Sequence, residues 1–115
     1  MFFINNRHKS DFIKLTQKAN ENNNALVAAI YLLSANRHLT RISKSHIYNS
    51  YIDFESIILK NSKVNEYILF FVAKELYFET NRLTIMDLCD KYLISRKVFN
   101  SIYNAIKIRR YGLSI

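Results

Sequence analysis

A chain of 115 residues, half of them hydrophobic, is long enough to bury one core and short enough to be a single domain, 1–115, and its one cysteine, Cys89, excludes an internal disulfide. One glycine and no proline leave few signals for tight hairpins, so an all-α fold is expected: a compact single-domain bundle of about five to six helices with a helix-turn-helix-like pair at its C-terminal end. Seventeen Lys and Arg against nine Asp and Glu give a net charge of +8, which points to an anionic partner, nucleic acid before an acidic protein surface and that before a membrane surface.

The opening Met1-Phe-Phe-Ile-Asn-Asn has no basic region leading into an apolar stretch, so no secretory signal is expected and a reducing cytoplasm is the expected setting. A first helix is predicted from Asn6 or Ser10 to about Glu21, with Phe12, Ile13, Leu15 and Ala19 as its apolar side. Asn22, Asn23 and Asn24 disfavour continued helix, tolerate left-handed backbone and mark a tight connection. Residues 25–35 are then apolar almost all round, the pattern of a central buried helix. That stretch and residues 67–73 are both shorter than the roughly 20 residues that span a bilayer, so no membrane association is expected.

From Asn36 to about Ser62 the pattern weakens. Leu39, Ile42 and Ser43 predict one short helical turn and Ile52, Phe54, Ile57 and Ile58 another, with an irregular joint over 46–50. Ser62 or Asn65 then caps a helix predicted to reach about Glu79, whose stripe of Val64, Tyr67, Ile68, Phe71, Val72 and Leu76 is widened by Leu69, Phe70 and Phe78. A helix apolar over so wide an arc packs on more than one neighbour, with Phe71 in the core.

Charge is unevenly spread: residues 1–80 carry ten basic and seven acidic residues, +3, whereas residues 81–115 carry seven basic and two acidic, +5. Within the basic end, Thr84 and Asp87 make a capping-box-like start, and Ile85, Leu88, Cys89 and Tyr92 recur at helical spacing. Leu93-Ile94 interrupts this helix, and Ser95 caps a second one predicted to reach about Ile108. Two capped helices about three residues apart define a helix-turn-helix-like unit over 83–110. On a helical wheel the second helix turns Val98, Phe99, Ile102, Ala105 and Ile106 inward and Arg96, Lys97, Asn100, Ser101, Asn104 and Lys107 outward. The outer face has no acid, and its residue types read base edges, Arg bidentate to guanine and Asn to adenine. Arg109 and Arg110 extend the basic line past the helix end, where they suit phosphates. The competing account is the solvated polar face of an ordinary amphipathic helix.

The segment Leu83-Thr-Ile-Met-Asp-Leu-Cys-Asp-Lys-Tyr-Leu-Ile-Ser-Arg-Lys-Val-Phe99 resembles the helix-turn-helix segments of bacterial regulators, in which a small residue stands near the place of Cys89 and a tight turn precedes a start like Ser95-Arg96. Those turns usually carry glycine or asparagine where Leu93 stands. The opening Met1-Phe-Phe-Ile-Asn-Asn-Arg-His-Lys-Ser-Asp-Phe-Ile-Lys-Leu15, the middle Ile52-Asp-Phe-Glu55 and the closing Asn104-Ala-Ile-Lys-Ile-Arg109 resemble a family of short Firmicute and phage proteins catalogued as domain of unknown function 6075. That resemblance implies a compact helical protein and a phage or mobile-element setting, with no assigned activity, cofactor or catalytic residue. Its members often carry acidic residues where this chain has Ser95, Arg96 and Lys97, which leaves the basic helix start as a feature of this chain.

His8, His38 and His46 lack the paired spacing of a metal site, Cys89 sits on an apolar stripe, no glycine-rich phosphate loop exists, and the acids form no visible pair. Neither catalysis, nor a cofactor, nor a metal is expected. Most aromatics fall on helix stripes and read as core, with Tyr103 and Tyr111 as exceptions beside the basic face. The leading expectation is a non-enzymatic double-stranded DNA-binding protein docking Ser95 to Lys107 in a major groove. The alternative is a small phage-type inhibitor or adaptor that binds a host protein, for example a nucleic-acid-handling defence or transcription factor. A homodimer is compatible with both.

Overall fold

The computed structural model describes residues 1–20, 22–78 and 94–113. Among them lie five α-helices, α1 (Asn6–Thr16), α2 (Asn24–Leu33), α3 (Arg37–Ser43), α4 (Val64–Phe78) and α5 (Arg96–Tyr111), with two 3-10 turns, Lys44–His46 and Phe54–Ser56, between α3 and α4. The expected all-α fold is what forms: among the described residues, the one sheet-like pairing is an antiparallel bridge between Ile47 and Ile52.

One device starts four of the five helices. Asn5, Asn23, Asn36 and Ser95 each stand just before a helix in extended backbone and accept, through the side-chain oxygen, the amide N–H of the residue three places on. An N-cap of this kind is worth about 1 kcal/mol against alanine. The asparagine run 22–24, expected to stop the first helix, acts instead as the start of α2. Helix α4 begins differently: neither Ser62 nor Asn65 caps it, and the Glu66 carboxylate instead reaches back to accept the Lys63 amide at 3.2 Å. Just before it, Asn61 sits at φ 58°, left-handed backbone that asparagine tolerates.

Helix α1 ends at Thr16, short of the predicted Glu21. The Thr16 hydroxyl donates back to the Phe12 carbonyl at 2.9 Å, and after Gln17, whose amide still reaches Ile13, the Lys18 and Ala19 amides bond three residues back rather than four. The last turn thus tightens out of α-geometry.

Helix α2 occupies the centre, with every residue from Leu26 to Leu33 at 0 % exposure. The other four helices pack on it, α4 and α5 most extensively. The irregular stretch after α3 docks on α4 through Phe54, which is buried with its ring 5.6 Å from Phe70, 5.3 Å from Tyr77 and 5.7 Å from Phe78. Ile58, predicted to share that apolar side, points to solvent at 72 % exposure.

The phase of α4 differs from the expected one. Leu69, Val72 and Ala73 face the core together with Glu66 and Glu75, whereas Val64, Tyr67, Phe71 and Phe78 are exposed. Phe71, expected in the core, is 42 % exposed. A helix apolar on nearly every side carries little information about which side turns inward, and its neighbours settle the matter.

A polar cluster lies inside this apolar centre. The His8 ring is fully buried; its Nδ1 accepts the Ile4 amide at 3.2 Å, which obliges Nε2 to carry the proton and donate it to the Tyr31 carbonyl at 2.9 Å. The fold thus selects the neutral imidazole. Burial lowers the His8 pKa below its ordinary 6.5, and nearby Arg7 lowers it further, against the opposing effects of the hydrogen bond to the Tyr31 carbonyl and of Asp11.

Two predictions follow from this core. Leu69→Ala is expected to cost about 2 to 5 kcal/mol, because a fully packed leucine leaves a cavity, and Phe71→Ala clearly less; urea titration of the two variants measures the difference. The second concerns pH. The unfolded chain protonates His8 near 6.5, the folded chain only at lower pH, so between those values the unfolded state binds the extra proton and stability falls as pH falls. The urea midpoint should therefore drop between about pH 7.5 and 5.5, and His8→Gln should flatten that dependence.

Candidate nucleic-acid interface

Helix α5 begins where expected, with the Ser95 hydroxyl accepting the Val98 amide at 3.3 Å. It runs on to Tyr111, so Arg109 and Arg110 lie in its last turn rather than past its end. Cations there complement the partial negative charge of the helix terminus. Gly112 closes the helix at φ 81° and donates its amide to the Ile108 carbonyl at 2.8 Å. A Cβ at that position would meet Asn24 Oδ1 at 3.2 Å, so the end of α5 abuts the start of α2 closely enough to favour glycine. Residues 84–92, expected as the first helix of the pair, and Leu93 lie outside the described residues.

The inward side of α5 is rotated from the predicted one by somewhat less than the about 100° between successive residues. Val98, Ile102 and Ala105 are buried as expected, joined by Ile108, Ser101 at 0 % exposure and Asn104 at 6 %. Phe99 and Ile106, expected inside, are 39 % and 38 % exposed. Ser101 and Asn104 are therefore not available to a groove-bound base. The Ser101 hydroxyl bonds back to the Lys97 carbonyl at 3.0 Å, and Asn104 and Ser101 both lie toward the Tyr31 hydroxyl, with Asn104 Nδ2 buried and without a hydrogen-bond partner. That hydroxyl donates to the Phe2 carbonyl, and burial pushes its pKa up to about 12 although the two α5 side chains oppose the shift. A polar residue buried beside a polar partner looks, on a wheel, like a residue facing water.

The remaining expected site residues separate by role. Arg96, Lys97 and Arg110 are exposed and Asn100 and Lys107 half-exposed, all on the solvent side of α5. Lys107 Nζ stands 5.1 Å from the Tyr103 ring centre and the Arg110 guanidinium 5.5 Å from that of Tyr111, so both exposed tyrosines are paired with cations of this face. Arg109 is committed elsewhere: its Nε donates to the Leu76 carbonyl in the last turn of α4 at 3.0 Å.

A second basic surface was missed by counting charge along the chain. Arg7 and Lys14 on α1 and Lys18 in the turn after it face Arg37 and Arg41 on α3 and Lys44 just beyond it, across an open groove of about 760 Å³ floored by Leu15 and Thr40. Asp11 is the single acid lining it, and it pairs with Arg7 at 2.6 Å. The signal was present as spacing: Arg7, Asp11, Lys14 and Lys18 recur at four, three and four residues, and Arg37, Arg41 and Lys44 at four and three, one stripe on each helix. The five acids that follow Ser50 within residues 1–80, Asp53, Glu55, Glu66, Glu75 and Glu79, diluted the sum over that stretch.

No protein-family model, curated protein or solved structure matches this chain.

The contrast between Arg109 and Arg110 is testable by thermal and urea denaturation. Arg109→Ala should cost about 1 to 3 kcal/mol, the range for a charged donor lost from a partly buried acceptor. Arg110→Ala should stay within about 0.5 kcal/mol of the parent, as surface substitutions do.

Proposed function

We propose that this chain is a small, non-enzymatic DNA-binding protein of phage or mobile-element type that contacts duplex DNA with the solvent side of α5. The observation that carries this reading is that α5, Arg96–Tyr111, contains no acid and presents Arg96, Lys97, Lys107 and Arg110 on that side. Arg96 and Lys97 stand at the helix N-terminus, where free amide donors already create positive potential, so their placement opposes the helix dipole. A phosphate or the electronegative edge of guanine relieves that opposition. Arg96, Lys97 and Asn100 are the base-reading candidates, and Lys107 and Arg110 the phosphate contacts. Ser101, Asn104 and Arg109 act through the fold.

A second reading, an inhibitor or adaptor that binds a host protein, is favoured by one feature of the same face. Phe99, Tyr103 and Ile106 are exposed there beside the cations, and an aromatic and apolar centre ringed by charge suits a protein interface.

Fluorescence anisotropy on random and selected duplexes at two salt concentrations separates these readings. Arg96→Ala should cost about 1 to 3 kcal/mol on a selected site and less on random duplex, whereas Arg110→Ala should weaken both alike. Absence of duplex binding at low salt, or no effect of Arg96→Ala on any duplex, overturns groove reading by α5 and puts the protein partner in front.

A further inference from the structure

We propose that the groove between α1 and α3 is a second nucleic-acid contact, a channel that takes the phosphodiester backbone independently of α5. The identity of the occupant rests on the nucleic-acid reading above; the site does not, since it lies on other helices.

Three observations carry it. First, the groove concentrates like charge. Six cations line it against one carboxylate, and that carboxylate is held by Arg7, whose other guanidinium nitrogen is engaged with the Ser34 carbonyl at 3.3 Å. The other five, Lys14, Lys18, Arg37, Arg41 and Lys44, are exposed and have no acidic partner among the described residues. Surfaces without a binding role usually intersperse the two signs, because a single-sign field works against the compact state.

Second, the cations are ordered. Residues four and seven apart on a helix lie on one stripe, so Arg37, Arg41 and Lys44 mark a line about 10 Å long on one wall. Arg7 and Lys14, seven residues apart on α1, mark a line of the same length on the other wall, with Lys18 in the turn beyond it. A strand of B-DNA advances about 3.4 Å per phosphate along the axis, so each wall spans about three successive phosphates. Arg37 and Arg41 offer planar forks suited to phosphate oxygens, and the lysines offer point charges.

Third, the groove lacks what a protein partner needs. Its one apolar lining residue, Leu15, is only 5 % exposed, and no aromatic side chain lines it. An acidic peptide would find charge without an apolar anchor, whereas a sugar-phosphate backbone needs none. With Thr40 Oγ1 already bonded to the Leu33 carbonyl at 3.2 Å and the Asn36 carbonyl at 2.9 Å, the floor has little with which to read bases. Binding here is expected to be indifferent to sequence.

The test uses the full chain and a labelled random-sequence duplex in anisotropy titrations at several salt concentrations. The triple variant Lys14→Gln, Arg41→Gln, Lys44→Gln is set beside the double variant Arg96→Gln, Arg110→Gln, with circular dichroism to confirm that both fold. The charge-preserving Lys14→Arg, Arg41→Lys, Lys44→Arg provides a control. The triple variant should bind at least about tenfold more weakly, and its slope of log affinity against log salt should fall by about two to three, near 0.9 for each lost contact. The charge-preserving variant should keep the parent's slope. Loss in the triple variant alone supports the groove and overturns the α5 reading; loss in both supports both. Loss in the double variant alone, or no duplex binding by the parent, overturns the groove proposal. Displacement of the duplex by polyglutamate at equal charge concentration as effectively as by unlabelled DNA overturns the choice of phosphodiester as occupant.

Discussion

The whole fold depends on the complete burial of α2. Eight consecutive residues, Leu26 to Leu33, have no contact with water, and a helix in that position needs cover on every side. Four helices supply it, each presenting whatever face completes the packing rather than the most apolar face it owns. Helix α4 consequently turns Glu66 and Glu75 inward and leaves Phe71 and Tyr67 in solvent, and α5 buries Ser101 and Asn104 while exposing Phe99 and Ile106.

Surrounding an apolar helix so tightly creates a polar problem wherever a heteroatom is caught inside, and Tyr31 is where the solution converges. Its carbonyl accepts from His8 Nε2 and from the Ser34 hydroxyl, its own hydroxyl donates to the Phe2 carbonyl, and Ser101 and Asn104 approach that hydroxyl from α5. These bonds join the N-terminal segment, α1 and α2 at one point, and α5 packs Ser101 and Asn104 against it, with Asn104 Nδ2 buried and without a hydrogen-bond partner. An unmade hydrogen bond in such a place costs more than a made one contributes, so the rotation of α5 that buries Asn104 Nδ2 unpartnered is sustained by apolar packing on α2.

This explains which parts were legible in the residues and which were not. The all-α class, the central helix and the cap at Ser95 could be read directly, and Asn6 was one of two starts offered for α1, because they rest on local chemistry: an unbroken apolar run and side-chain oxygens poised to cap. Helix phase could not, because it rests on partners far along the chain. Nothing near Ser101 or Asn104 announces that Tyr31, some seventy residues earlier, will be facing them. The C-terminal surface was legible in part: Arg96, Lys97, Asn100, Lys107 and Arg110 do face solvent, while Arg109 is drawn away by a carbonyl of α4. The α1–α3 groove was hidden for the same reason as the phases, since its two stripes are ordinary on each helix and become notable only face to face.

Charge and core then pull on this molecule in opposite directions. The Arg7–Asp11 ion pair offsets little of a strongly basic surface, and both basic surfaces stand on helices that the core holds in place. Along the walls of the groove, Lys14 and Lys18 on one side and Arg37, Arg41 and Lys44 on the other stand three or four residues apart on a helix or in the turn after it, well inside the about 10 Å over which salt at about 0.1 M screens charge, so they feel one another. Packing on α2 supplies the free energy that keeps them together. A polyanion entering the groove or lying along α5 converts that repulsion into attraction and releases counterions as it does so. Binding and folding are thereby linked: a ligand that holds the native state and ignores the unfolded chain raises stability by mass action, and the rise is largest at low salt, where the unrelieved repulsion is greatest.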